Sequence, residues 1–455
     1  LRFLRDQINS QSALPLNPPG SVCAELVDNL GFKLTGSQQR VLLKISADLA
    51  RNSPMLRLLQ GDVGSGKTVV AAVAATHAFE NNLQTAIMAP TEVLAEQHFA
   101  NFDQWLTPLG IQTAWLSGKV KGKARSEELG MIASGNARVI IGTHALFQKD
   151  VQFKDLGLII IDEQHRFGVH QRLALRQKGT ATIPHQLVMT ATPIPRTLTM
   201  SMYADMDAST IDELPPGRMP ITTSVLPENR RQEVVERIRA LCAKGAQAYW
   251  VCTLIEESEV LESQAAEAAA KELTAALPEL TVGLIHGRMN HGEKTSVMDG
   301  FKQGSIDLLV ATTVIEVGVD VPNATLMIIE NSERLGLAQL HQLRGRVGRG
   351  VAESHCLLLY HPPLGELSKQ RLSVMRHSSD GFFIAEEDLK IRGPGELLGS
   401  KQSGSLQFKI ADLIRDSHLL GAVKTSSDEL FEKDPATIDL LIHRWTSIPD
   451  QLSQV

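Results

Sequence analysis

The chain of 455 residues has little cysteine, no long apolar run and no excess of positive charge. Cys23, Cys242, Cys252 and Cys356 are scattered without a C-x-x-C spacing, which argues against both a zinc site and a disulfide framework. Cys252 and Cys356 fall in apolar runs, where cysteine usually serves as a small core residue. No stretch approaches the ~18 apolar residues needed to span a bilayer. No signal-peptide pattern follows Leu1, so a fragment or processed product of a cytoplasmic protein is expected. A net charge of −6 excludes a protein coated in basic residues, although a local groove of amides and a few arginines can still hold phosphates. What is present, 43% hydrophobic and 21% charged residues, is the composition of a globular protein. At ~150 residues per domain the length suggests two or three domains.

From residue 35 to 192 the sequence alternates β-rich apolar runs (55–60, 85–89, 138–142, 156–161, 186–190) with amphipathic helical stretches such as 67–80 and 93–105. Strands that are apolar almost throughout, separated by helices, predict a parallel sheet covered on both faces, a doubly wound α/β lobe. The stretch 209–220, with Pro215, Pro216 and Gly217 at its centre, breaks the pattern and predicts the interdomain linker. A second alternating series follows: runs at 221–226, 247–254, 282–286, 306–311, 326–330 and 354–360, with helices from 230 and over 259–277. After Pro362 and Pro363 the character changes to helices over 364–376 and 382–391, a turn-rich loop at 392–399 and a mostly helical remainder. The division predicted is 1–30 as linker or N-terminal remnant (Asn17, Pro18, Pro19 and Gly20 read as linker), 31–212 as the first lobe, 213–361 as the second and 362–455 as a small helical appendage.

Gly61, Asp62, Val63, Gly64, Ser65, Gly66, Lys67 and Thr68 match the P-loop pattern in full, between a predicted strand and a predicted helix. Its glycines let consecutive backbone N–H groups turn inward around phosphates at the positive end of a helix. Lys67 is expected on the β- and γ-phosphates and Thr68 on Mg²⁺. A buried apolar run then ends in Asp162 and Glu163, at the sheet edge where the P-loop also lies. Asp162 suits the holding of Mg²⁺, and Glu163 the orienting or deprotonating of the attacking water. In the other lobe Arg346 and Arg349 are three positions apart, so one helical turn or tight loop aims both the same way. Facing a γ-phosphate, either would act as an arginine finger.

Together with further segments these motifs resemble superfamily 2 helicases, and more closely the RecG family of branch-migrating DNA helicases. The ordered set comprises residues 34–38, the P-loop, 89–92, 141–144, 162–165, 190–192, 285–288, 311–320 and 342–349. The resemblance implies two RecA-like parallel-sheet lobes in tandem plus a small, mostly helical appendage. It also implies an ATP- and Mg²⁺-dependent motor on branched or double-stranded DNA, serving recombination and repair at replication forks and Holliday junctions. A bacterial cytoplasmic, nucleoid-associated monomer without membrane attachment is expected.

By this resemblance Gln38 reads the adenine edge and Phe32 stacks near the base, while Gly318 and Asp320 approach the nucleotide from the second lobe. Thr190 and Thr192 couple hydrolysis to lobe movement, linked to the carboxylates by His165; Gln342 opens the arginine motif. Pro90, Thr91, Gly142, Thr143, His286, Gly287 and Arg288 line the nucleic-acid track. Residues 164–169 and 392–404 narrow the likeness, and a related form of both occurs in the transcription-repair coupling factor. In the shared translocation motif Arg371, Arg376, Arg392 and Gln402 are the expected couplers of ATP state to DNA movement. The family carries an N-terminal wedge domain that splits branched DNA, expected in the full-length protein and not matched by residues 1–30. The alternatives are the translocase module of a coupling factor, an RNA helicase, and a nucleotide-dependent nucleic-acid-binding switch.

Overall fold

The computed structural model describes residues 11–163, 182–195, 206–215, 218–253, 259–316, 321–350, 352–392 and 415–434, with isolated positions at 178, 437–438, 440–441 and 444. The first lobe runs α1 (Ser21–Asn29), α2 (Gly36–Leu49), β1 (Leu56–Gly61), α3 (Lys67–Glu80), β2 (Gln84–Met88), α4 (Glu92–Leu106), β3 (Thr113–Leu116), α5 (Gly122–Ser134), β4 (Val139–Gly142), β5 (Leu156–Asp162), β6 (His185–Thr190) and β7 (Asp207–Ile211). Its seven strands are all parallel, in the order β3-β4-β2-β5-β6-β1-β7. Successive side chains of a strand feed opposite faces. Ile87 joins the core under α3, while Ala86 and Met88 pack on the other side.

The second lobe runs β8 (Ile221–Pro227), α6 (Arg231–Cys242), β9 (Gln247–Val251), α7 (Glu259–Ala276), β10 (Val282–Ile285), α8 (His291–Lys302), β11 (Leu308–Ala311), β12 (Ala324–Ile329), α9 (Leu337–Arg344) and β13 (Ser354–Tyr360). Its order, β10-β11-β9-β12-β13-β8, repeats that of the first six strands of the first lobe, element for element. The two lobes are therefore one architecture built twice, as the alternation of runs suggested.

Several boundaries differ from the sequence reading. Residues 209–211, expected in the linker, belong to β7, which pairs in parallel with β1. An edge strand is half exposed, so Asp207–Ile211 lacks the continuous apolar run that marked the central strands. The linker shortens to residues 212–220. Residues 11–30, expected as linker, are part of the first lobe: Leu16, Leu26 and Leu30 are buried in its core. Glu80 at the end of α3 accepts hydrogen bonds from the N–H groups of Gly20, Val22 and Cys23, satisfying the free donors of the α1 N-terminus. Strand β3 and helix α5 were not marked out by the alternation.

The appendage forms a hairpin of α10 (Glu366–His377) and α11 (Gly381–Arg392), followed by α12 (Leu420–Lys433). Leu372, Met375 and Ile384 sit in the same core as β12 and α9, so the hairpin moves with the second lobe. Among the described residues no helix is long and apolar enough to cross a membrane.

One buried ion pair ties the edge of the first lobe together. Arg57 on β1 donates from Nε to Asp48 Oδ2 of α2 at 2.6 Å and from Nη1 to Ser209 Oγ of β7 at 2.7 Å. Among the described residues, removing Arg57 leaves Asp48 paired with only the exposed Arg51, at 3.2 Å. Arg57→Ala is expected to destabilise the chain by about 3 kcal/mol, read as a drop in the urea midpoint.

Candidate active site

Strand β1 delivers the P-loop to the C-terminal edge of its sheet, and α3 starts at Lys67 with its N-terminal amides pointing back at the loop. Gly64 and Gly66 have φ of 76° and 85°, a region that favours glycine. A Cβ on Gly66 would also strike the Gln38 amide. Gln38, buried in the first turn of α2, accepts from the Thr35 N–H at 2.9 Å and donates to the Ser65 carbonyl at 2.9 Å. It thereby braces the loop from below. Lys67 Nζ donates to the carbonyls of Gly61 and Asp62 at 2.7 and 2.9 Å. Burial holds its ammonium below the usual lysine range, against the pull of Glu163, Asp162 and Asp62. Thr68 is half-buried and Phe32 exposed.

Strand β5, buried along its whole length, ends at Asp162. His98 of α4 donates from Nε2 to Asp162 Oδ2 at 2.8 Å. Burial opposes ionisation of Asp162, but this hydrogen bond, the His98 and Lys67 charges and the Glu163 amide together hold it below the ordinary carboxylate range. Glu163 has φ of 52°, a strained conformation for a side chain with a Cβ and one found at functional sites. Its carboxyl is pushed up to about 7, first by burial and then by the Asp162 charge. The Ala191 N–H donates to it at 3.5 Å, and the Thr190 and Thr192 hydroxyls lie 2.7 Å apart beside it at the end of β6.

The second lobe closes this pocket. Gly345 lies so close that a Cβ there would meet Val63 Cβ at 2.8 Å. Beyond it, the Arg346 charge bears on Glu163 and that of Arg349 on Lys67. Burial, and then the neighbouring Arg218, push Arg349 down to about 10. The structure thus brings together Lys67, Asp162, Glu163, Arg346 and Arg349 from the two lobes. It adds three residues that the sequence reading passed over. His98 orients Asp162. His341 of α9 donates from Nε2 to Asp62 at 2.5 Å and accepts at Nδ1 from Arg344 at 2.9 Å. Arg218 of the linker donates to the Val63 carbonyl. An isolated histidine or arginine carries no spacing signal, so none of the three stood out.

The remaining candidates divide by strand. Pro90 and Thr91 follow β2, Thr91 capping α4, and Gly142 and Thr143 end β4. His286, Gly287 and Arg288 follow β10, with Gly287 and Arg288 exposed. Strands β4 and β2 lie on one side of β5, and the P-loop strand β1 on the other. The nucleic-acid candidates therefore occupy one half of each sheet edge and the nucleotide residues the other. Gln342 is buried in α9. Arg371 donates to the carbonyls of Leu335 and Glu333 at 3.0 Å each, Arg392 pairs with Asp388 at 2.9 Å, and Arg376 is exposed. His165, Gly318, Asp320 and Gln402 lie outside the described residues.

Comparison with known proteins follows the same division. Residues 35–201 match the DEAD/DEAH box helicase pattern, 226–351 the helicase conserved C-terminal domain, and 378–442 the C-terminal part of domain 3 of the ATP-dependent DNA helicase RecG. The chain is 60% identical over 436 residues to the ATP-dependent DNA helicase RecG of Escherichia coli strain K12, covering 95% of this chain and 63% of that protein. It is 59% identical to the Haemophilus influenzae protein of the same name, with the same coverage. The chain thus spans somewhat under two thirds of these curated relatives. A solved structure of RecG bound to a three-way DNA junction superposes with TM-score 0.76 at 44% identity, over 92% of this chain and 55% of that one. Yeast Dbp5 bound to RNA and ADP BeF3, at TM-score 0.59 and 16% identity over 82% of this chain and 92% of that one, shares the fold alone.

The raised Glu163 carboxyl has a consequence for stability. With a folded value of about 7 against an ordinary 4.5, it binds a proton on folding between those limits. Its contribution is complete below pH 4.5 and lost as pH rises through 7. Glu163→Gln is therefore expected to gain stability over the parent protein as pH is raised from 5 to 8, measured by urea unfolding without nucleotide. A constant difference across that range would contradict the assigned environment.

Proposed function

Because the chain belongs to the RecG family of ATP-dependent DNA helicases, we propose that it is an ATP-hydrolysing motor that translocates on double-stranded DNA. Its targets are branched DNA, replication forks and Holliday junctions, in recombination and repair. The observation that carries this reading is the shared pocket. Lys67, Asp162 and Glu163 from one lobe and Arg346 and Arg349 from the other converge on the P-loop.

Each residue has a defined task. Lys67 turns from the Gly61 and Asp62 carbonyls to the β- and γ-phosphates of ATP, whose negative charge favours its ammonium form. The Thr68 hydroxyl and Asp162 carboxylate are hard oxygen donors that suit Mg²⁺. The ion supplies charge neutralisation to the phosphates. His98 keeps Asp162 ionised and oriented. Glu163, titrating near neutrality, is matched to accepting a proton from the attacking water, and its strained backbone aims it there. Arg346 and Arg349 neutralise the charge that develops on the transferred phosphoryl group. Gln38 and Phe32 serve the base side of the nucleotide, and Gly318 and Asp320 approach it from the second lobe.

Pro90, Thr91, Gly142 and Thr143 from one lobe, and His286, Gly287 and Arg288 from the other, track the DNA backbone; Gly, Thr and amide contacts to phosphate position without reading sequence. Lobe closure and opening, transmitted through Thr190, Thr192, His165 and Gln342, then shift DNA past the lobes. The α10–α11 hairpin carries Arg371, Arg376 and Arg392 with the second lobe, and Gln402 is proposed to join them in coupling. We place branch recognition in a wedge domain of the full-length protein, acting as a cytoplasmic, nucleoid-associated monomer.

Lys67→Ala is expected to abolish DNA-stimulated ATP hydrolysis with unfolding unchanged, and Arg349→Ala to lower kcat by ~10³ or more. Triplex displacement on duplex DNA tests movement directly: the third strand is released only with ATP. Binding of DNA with ATP turnover and no displacement would point instead to a nucleotide-dependent switch.

A further inference from the structure

Arg218 has no part in the mechanism above. It stands in the linker between β7 and β8, yet its guanidinium is largely withdrawn from water and lies against the P-loop. Nη1 donates to the Val63 carbonyl, and a Cβ built on Gly64 would run into the same group. Its charge is felt by Arg349, whose own charge is felt by Lys67. Asp62 is the acid that acts on Arg218.

A single backbone carbonyl does not account for this placement. Among the described residues, Lys67, Arg218, Arg346 and Arg349 share the cleft with Asp62, Asp162 and Glu163. Asp62 is bonded to His341 and Asp162 to His98. Two guanidiniums drawn together out of water repel each other and lose hydration. Such a pair is stabilised when an anion with several acceptor oxygens comes between them. A guanidinium also fits phosphate with a fork of donors. The P-loop beside Val63 and Gly64 is where a phosphate chain is wrapped.

We propose that Arg218 is a third phosphate-binding arginine, supplied by the linker, which contacts the terminal phosphate of a bound nucleoside triphosphate together with Arg349. This rests on the reading of the pocket as an ATP site. It makes the linker a sensor: the short chain joining the lobes is held to the triphosphate and released from the diphosphate.

Equilibrium titration with fluorescent mant-labelled AMP-PNP and mant-ADP tests this on the full chain. Arg218→Ala is expected to weaken the triphosphate analogue at least tenfold while changing ADP affinity less than threefold. Arg218→Lys should recover part of the loss, since it keeps the charge but not the fork. Equal weakening of both nucleotides would overturn the proposal, because it is the result of a pin that merely shapes the loop; unchanged affinity for both would overturn it as well. Lys67→Ala separates the two levels of inference. It should weaken both nucleotides, and if it binds both as the parent does, the ATP-site reading itself fails.

Discussion

Like charges crowded at the seam between two sheet edges are the condition on which the molecule turns. Parallel strands present their C-terminal ends in a row, and the loops leaving those ends carry the functional groups. Here two such rows face each other. Lys67 and the acids come from one side and the arginines from the other, with burial lowering the proton affinity of Lys67 and Arg349 and raising that of Glu163. A seam held this way is sensitive to any anion that enters it. In the proposed mechanism, that sensitivity would convert a change in nucleotide charge into a change in how firmly the lobes meet.

Small residues permit the approach. Gly345 lies against Val63, and Gly381 at the start of α11 packs between His341, Pro193 and Asp62. A larger side chain at either place would hold the lobes apart before the guanidiniums arrived. The bond from Asp62 to His341 continues through Arg344 to the carbonyls of Met375 and Ser378 at 2.9 and 2.7 Å, so the P-loop, α9 and the hairpin share one network. Hydrogen bonds in such buried networks strengthen one another. With Leu372 and Met375 in the core of the second lobe, the hairpin has no freedom to lag behind a lobe that moves.

The duplicated strand order sets the two groups of candidate residues on separate halves of one sheet edge. In each lobe the strands on one side of the centre lead to the candidate nucleic-acid segments and those on the other to the candidate nucleotide residues. A rotation of one lobe against the other displaces both halves at once. The braced arginines of the hairpin fit this picture: Arg371 is tied to the loop at 333–335 and Arg392 to Asp388, so they fix the hairpin's posture, while Arg376 faces solvent.

The local signals in the chain were enough to determine the two α/β lobes, nearly all the central strands, helix Lys67–Glu80, the P-loop and the carboxylates after β5. The reason is that buried parallel strands read as continuous apolar runs and phosphate loops demand glycine at set intervals. The edge strand β7, helix α1 and strand β3 escaped that reading, because half-exposed or short elements lack a distinctive period. Only tertiary structure decided that His98 meets Asp162, that His341 meets Asp62 across 279 positions, and that a linker arginine reaches Val63. Such contacts depend on how distant segments are brought together, and a lone histidine or arginine leaves no trace of its eventual partner in the residues on either side of it.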